Sequence, residues 1–158
     1  MGYKTRVYVA AGWFSPNQID TYDKMKKILD KYQDNLELFY PKEQSKDLQG
    51  DLFSPNTRKE IFERNLYGMV GADLVICSTE DKDAGSLFEA GFCFAVKRPI
   101  IYVNFHLGEA PFNLMLTESG LAIARDGATL ELIIQRVLKV GVNDRQAFEN
   151  FRREKNAE

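Results

Sequence analysis

Short apolar runs alternate along this chain with longer stretches in which apolar residues recur every three or four positions. Residues 6–10, Arg-Val-Tyr-Val-Ala, are β-branched and aromatic and read as a first strand, followed by the turn Ala11-Gly12-Trp13-Phe14. Ser15-Pro16 then supplies a helix cap and a proline at the first helical position. Ile19, Tyr22, Met25 and Leu29 continue at helical spacing with lysines between them. Residues 36–40 read as a second strand. The stretch from Pro41 to about Asp51 is polar and without period, longer than the usual strand-to-helix connection, and marks a functional loop. Ser54-Pro55 repeats the cap-and-proline signal before a helix carrying Ile61, Leu66 and Met69.

Residues 73–77 predict a third and central strand, and the helix after Gly85 carries Leu87, Phe88, Phe92 and Val96 before stopping at Lys97-Arg98-Pro99. Residues 100–105 read as a fourth strand, 113–116 as a short segment, 121–124 as a weak fifth strand, and 128–140 as an amphipathic final helix. Strands alternating with helices at this spacing imply a parallel sheet covered on both faces, an α/β fold of the doubly wound kind. Residues 1–142 are expected to form this domain, with 143–158 as a charged tail, helical or frayed.

Composition narrows the class. A chain of 158 residues with 44% hydrophobic content is enough for one domain with a sizeable core. A net charge of −2 with interspersed signs argues against binding a nucleic-acid polymer, which demands a clustered basic face. No apolar run approaches the roughly 20 residues of a membrane span, and the start has no signal-peptide pattern. The two cysteines, Cys77 and Cys93, fall in core-like segments without metal-ligand spacing, which reads as reduced thiols in a cytoplasmic protein. His106 is the one histidine, so a metal centre built on several imidazoles is excluded; it is expected in a loop near a strand end.

The chemistry concentrates in Asp83-Ala-Gly-Ser-Leu-Phe-Glu-Ala-Gly91. A strand leads into a loop with an acid and a small Gly-Ser entry, and then into a helix with Glu89 on a buried-looking side. In a parallel sheet this puts both carboxylates at the C-terminal strand ends, where ligands bind. A carboxylate on an apolar side needs a partner or a purpose. Asp83 is also placed to cap the following helix, and Asp81 reads as a surface charge.

Four segments together resemble the nucleoside 2-deoxyribosyltransferase family over about residues 6 to 124. They are Tyr8-Val-Ala-Ala-Gly-Trp-Phe14, Asn65-Leu66 with Ala72-Asp73, the motif from Asp83 through Gly85 and Glu89 to Gly91, and Pro111-Phe-Asn-Leu-Met115. The resemblance implies a flavodoxin-like five-stranded sheet and transfer of 2-deoxyribose between nucleobases with retention. Glu89 is then the nucleophile that forms a deoxyribosyl ester, Asp83 its partner in sugar or base binding and proton transfer, and Tyr8 the donor that holds the carboxylate.

The resemblance also implies that Gly12, Trp13 and Phe14 form a substrate loop, with the tryptophan offering a stacking face to a base. By the same resemblance, Gln44, Asn65, Gly85, Asn113 and Met115 are expected to complete the substrate contacts. Asn65 stands where several members carry an aspartate, and an amide binds a base edge but does not cycle a proton. Asn113 is expected to reach into a neighbouring subunit's site, which implies a homo-oligomer, a dimer or a hexamer; as an alternative or in addition it caps a short helix. Expected partners are 2′-deoxynucleosides and free nucleobases, with no cofactor and no metal.

Family members often end in a tyrosine that contributes to the sugar site; this sequence reads Lys155-Asn-Ala-Glu158 at its end, and that contribution is expected to be absent or replaced. Hydrolysis of deoxynucleosides or their 5′-monophosphates by the same glutamate is the alternative chemistry, with Ser86 as the nearby phosphate donor. A non-catalytic nucleotide-binding module is the third reading.

Overall fold

Five short, largely apolar runs pair into one parallel sheet in a computed structural model that describes residues 2–48 and 50–152. The strands are β1 (Thr5–Ala10), β2 (Leu36–Phe39), β3 (Leu74–Ser78), β4 (Ile100–Val103) and β5 (Ala122–Ala124). Their order is β2-β1-β3-β4-β5, and every neighbouring pair is parallel. This is the doubly wound, flavodoxin-like arrangement, with β3 at its centre as the apolar pattern predicts. Chain order reverses direction between β1 and β3, so the loops leaving these two strands part on opposite faces and open a crevice between them.

The helices are α1 (Pro16–Leu29), α2 (Pro41–Gln44), α3 (Pro55–Gly71), α4 (Ala84–Ala95), α5 (Leu114–Ser119), α6 (Gly127–Val140) and α7 (Glu149–Arg152). Alternate residues of β1 enter opposite cores, as the two-residue period of a strand requires. Val7 and Val9 pack with Met25 and Leu29 of α1 and Ile133 of α6. Tyr8 and Ala10 pack with Met69 of α3 and Ala90 and Cys93 of α4. Both cysteines are free and buried.

The caps form as read. Ser15 accepts from the Gln18 amide while the Gln18 side chain bonds back, a complete capping box, and Ser54 caps α3. Helix α4 ends where Lys97 takes φ 62°.

Four details differ from the expectation. Within the polar stretch after residue 40, Pro41 starts a short helix, and the Tyr40 carbonyl accepts from the Glu43 and Gln44 amides at 2.9 and 3.0 Å. β1 begins one residue earlier, β3 is shifted by one, and β2, β4 and β5 are a residue or two shorter, because a ladder ends where its neighbour does: β4 stops at Val103, paired with the last residue of β5. Helix α3 buries only Met69 fully and leaves Phe62, Tyr67 and Val70 exposed. Beyond α6, a 3₁₀ turn over Arg145–Phe148 buries Phe148 completely in the α1–α6 core, and α7 follows it; residues 153–158 of the expected tail lie outside the described residues. No helix among the described residues is long and apolar enough to cross a membrane.

Candidate active site

The buried polar residues gather at one end of the molecule. Gln18, Thr21, Ser78, Thr79, Glu80, Ser86 and Asn104 are all under 9% exposed, and all lie where β1, β3 and β4 finish and where α1 and α4 begin. Burying a polar group costs free energy unless it is hydrogen-bonded, so such a concentration marks a region built for something other than packing.

Glu89 stands in the second turn of α4, on the side that faces the sheet with Ala90 and Cys93. It is half-buried, and Tyr8 of β1 donates its phenol hydrogen to Glu89 Oε1 at 2.9 Å. Tyr8 is itself completely buried and stacks on Phe39 of β2, with ring centroids 5.3 Å apart and planes 18° from parallel. Behind Phe39 lies Gly68 of α3, where a side-chain carbon would come within 3.0 Å of the ring. The tyrosine is therefore wedged, and its hydroxyl has a fixed aim.

Burial raises the Glu89 carboxyl above the usual carboxylate range; the Tyr8 bond lowers it and the Asp83 charge raises it again, for a value of about 7. Burial first and the Glu89 charge second push the Tyr8 phenol far above its ordinary range, so it remains a donor.

Asp83 is the N-cap of α4. Its Oδ2 accepts from the Ser86 amide at 2.8 Å and from the Ser86 hydroxyl at 2.7 Å. Ser86 is thus spent on the aspartate, which removes it as a free donor for a substrate phosphate. Gly85 lies beside the same oxygen, with room for a side-chain carbon only at 3.4 Å. Gly12 is tighter: a side-chain carbon there would sit 3.0 Å from Asp83 Cγ and 2.7 Å from Gln18 Oε1. The loop after β1 and the loop after β3 therefore meet at van der Waals contact, and only glycine fits between them.

Trp13 is half-buried and Phe14 is 74% exposed; their rings lie 5.3 Å apart in the loop that follows Gly12. Gln44, the last residue of α2, is exposed and lines a cleft of about 670 Å³ between β2 and α3, whose wall includes Phe39. Arg64 of α3 pins this segment by donating to the Gln44 carbonyl and to Asp47, each at 2.8 Å. Asn65 is half-buried one turn before Met69, and its amide has no hydrogen bond among the described residues. Asn113 caps α5, its Oδ1 accepting from the Met115 and Leu116 amides at 3.0 and 3.3 Å. Met115 is 75% exposed. No hydrogen bond joins Asn113 or Met115 to Tyr8, Glu89 or Asp83 in the same chain.

Sequence reasoning missed the groups that hold the loops. Glu80 is 2% exposed and accepts from Thr21, from the Phe105 amide and from the His106 amide. His106, expected as a loop histidine, lies at the end of β4 between Glu80 and Asp20. Asp81 is exposed, as a surface charge should be, yet it accepts from Ser15 and Asn17 of the α1 entry. The one signal was a run of acids (Glu80, Asp81, Asp83) just past the central strand.

The family model described as nucleoside 2-deoxyribosyltransferase matches residues 7–150. Among solved structures, the 2-deoxyribosyltransferase of Bacillus psychrosaccharolyticus superposes with a TM-score of 0.69 at 22% identity, covering 80% of this chain and 90% of that one. A conserved protein from Enterococcus faecalis gives 0.57 at 15% identity, over 90% and 99% of the two chains. The 2-desoxiribosyltransferase of Leishmania mexicana gives 0.55 at 18%, over 86% and 98%. Likenesses at these identities speak to the fold. No curated protein matches at a significant level.

Proposed function

The chain belongs to the nucleoside 2-deoxyribosyltransferase family, and from that premise we propose that it moves 2-deoxyribose between nucleobases through an ester on Glu89. The Tyr8–Glu89 hydrogen bond carries this reading. It occupies Oε1 and leaves Oε2 without a hydrogen bond among the described residues, free to attack. Oε2 bonds to the anomeric carbon as the N-glycosidic bond breaks, and the bond's electron pair leaves on the base nitrogen. Attack by a second base from the same side reverses the sequence, so configuration is retained.

A 2-deoxy sugar lacks the electron-withdrawing hydroxyl that would oppose positive charge at this carbon, so a carboxylate suffices as nucleophile. Its value of about 7 leaves it roughly half ionised at neutral pH.

Asp83 is the group for the leaving base's proton or for the sugar. Its bonds with Ser86 engage one oxygen, Oδ2. Trp13 and Phe14 form the stacking side of the base pocket, and Gln44 and Asn65 meet its edge from α2 and α3. Asn113 and Met115 serve the site of a neighbouring protomer: α5 presents Leu114 and Met115 to solvent at 72% and 75% exposure. The Asn113 cap uses its oxygen and leaves its amide hydrogens for a sugar hydroxyl. Buried free cysteines suit a cytoplasmic enzyme of nucleotide salvage.

The deciding assay supplies deoxyinosine and free adenine. Deoxyadenosine formation, lost in Glu89→Gln, is the expected result. Deoxyribose release indifferent to adenine assigns hydrolysis instead, and nucleoside binding without turnover rejects the enzyme.

A further inference from the structure

Glu80 belongs to no part of that chemistry, yet it is among the most buried charged side chains in the molecule. Its Oε1 accepts from Thr21 Oγ1 of α1 at 2.8 Å and from the Phe105 and His106 amides beyond β4 at 2.5 and 3.2 Å. The His106 ring closes the group, with Nδ1 3.3 Å from the same oxygen and Nε2 3.1 Å from Asp20 Oδ2. A buried carboxylate is tolerated only with such compensation, and its removal leaves several donors unsatisfied.

The backbone of Glu80 is engaged as well. Its carbonyl accepts from Gln18 Nε2 at 3.4 Å. Gln18 Oε1 in turn accepts from the Phe14 and Ser15 amides at 2.9 and 3.3 Å. One glutamine side chain thus spans from the Trp13–Phe14 loop to Glu80. The residues after Glu80 are strained: Asp81 and Lys82 both take left-handed conformations, φ 51° and 54°. This arc delivers Asp83 to the head of α4 and into contact with Gly12.

We propose that Glu80 is a positioning residue for the transfer reaction. Through Thr21 and Gln18 it locks the aromatic loop after β1 to the loop that sets Asp83 and α4, so that the base side and the sugar side of the pocket form one rigid unit. The catalytic half of this inference rests on reading Glu89 as the nucleophile and Trp13 as a base platform; the mechanical half does not.

Trp13 is the only tryptophan, so its fluorescence reports the loop directly. Glu80→Ala is expected to shift Trp13 emission and raise its quenching by acrylamide, although Glu80 and Trp13 share no hydrogen bond. In the deoxyinosine–adenine assay kcat falls at least tenfold while KM stays within about threefold, because no substrate contact is removed. Glu80→Gln, which keeps an acceptor oxygen, recovers most of both signals.

The proposal is overturned if Trp13 emission and kcat stay within twofold of the parent, or if kcat is lost with Trp13 unmoved. Should Glu80→Ala not fold, Thr21→Val and Gln18→Met are judged by the same criteria. If the parent protein transfers no deoxyribose, the functional reading fails, and the Trp13 measurements alone decide the coupling.

Discussion

Tyr8 and Glu89, 81 residues apart in the chain, meet at 2.9 Å, with the phenol of β1 donating to one carboxylate oxygen on α4. The bond opposes the burial that raises the Glu89 carboxyl, so it favours the ionised form needed for attack. Removing it with Tyr8→Phe keeps the stack on Phe39 and the packing. The Glu89 value then moves further above 7, and activity near neutral pH drops about tenfold while recovering at pH 9. Stability falls by about 1 kcal/mol. A pH–rate profile of the variant beside the parent checks both.

Glu89 also sets the acid limb of the parent. With a carboxyl at about 7, kcat/KM falls tenfold per pH unit below that point. Stability runs the other way. The folded value lies above the ordinary 4.5, so the folded state holds the proton longer than the unfolded chain does, and this group's contribution is full below 4.5 and lost as pH rises to 7. Glu89→Gln should therefore be inactive yet more stable than the parent at pH 8, by roughly 1–3 kcal/mol. Thermal unfolding at pH 5 and pH 8 reads this, with the gain largely absent at the lower pH.

Asp83 has two roles that different substitutions separate. Asp83→Asn keeps a capping oxygen for Ser86 and costs little stability, whereas Asp83→Ala loses about 1 kcal/mol of cap. Both lose the charge that raises Glu89, so the acid limb shifts downward in both. If Asp83 handles the proton of the base, kcat falls at least a hundredfold in the asparagine variant despite that favourable shift.

Gly12→Ala places a methyl 2.7 Å from Gln18 Oε1 and 3.0 Å from Asp83 Cγ. Gln18 has nowhere to go, since it is buried and holds the amides of Phe14 and Ser15. The expected cost is about 1–3 kcal/mol, or several degrees in thermal midpoint for a chain of this size. Activity should fall more than the fraction unfolded accounts for, because the methyl separates the two loops of the site.

Asn113 acting across subunits predicts complementation. Asn113→Ser keeps the α5 cap while removing the amide, and by itself is expected to raise KM for the nucleoside. Mixing and re-associating it with the inactive Glu89→Gln should regenerate turnover at the parent's low KM, which neither variant shows alone. Light scattering should show an oligomer, and Met115→Glu on the exposed face of α5 should weaken it.

The sequence by itself determined the parallel α/β fold, the central place of β3, the capped starts of α1 and α3, and the placing of Asp83 and Glu89 on one loop and helix. These are local properties: strand and helix periods, caps and breakers act over a few residues and can be read there. It hid α2, because a single turn of helix has no period to detect.

Only the tertiary structure decided that Tyr8 reaches Glu89, that Phe39 and Gly68 wedge it, that Gly12 touches Asp83, and that Glu80 joins three segments. The wedge depends on β2 lying beside β1, which puts Phe39 opposite Tyr8, and the others depend on β1 lying beside β3 and on α1 and α4 starting at the same edge of the sheet. The value of about 7 for Glu89 arises from the same source, since desolvation is a sum over everything packed around a group and not a property of its neighbours in the chain.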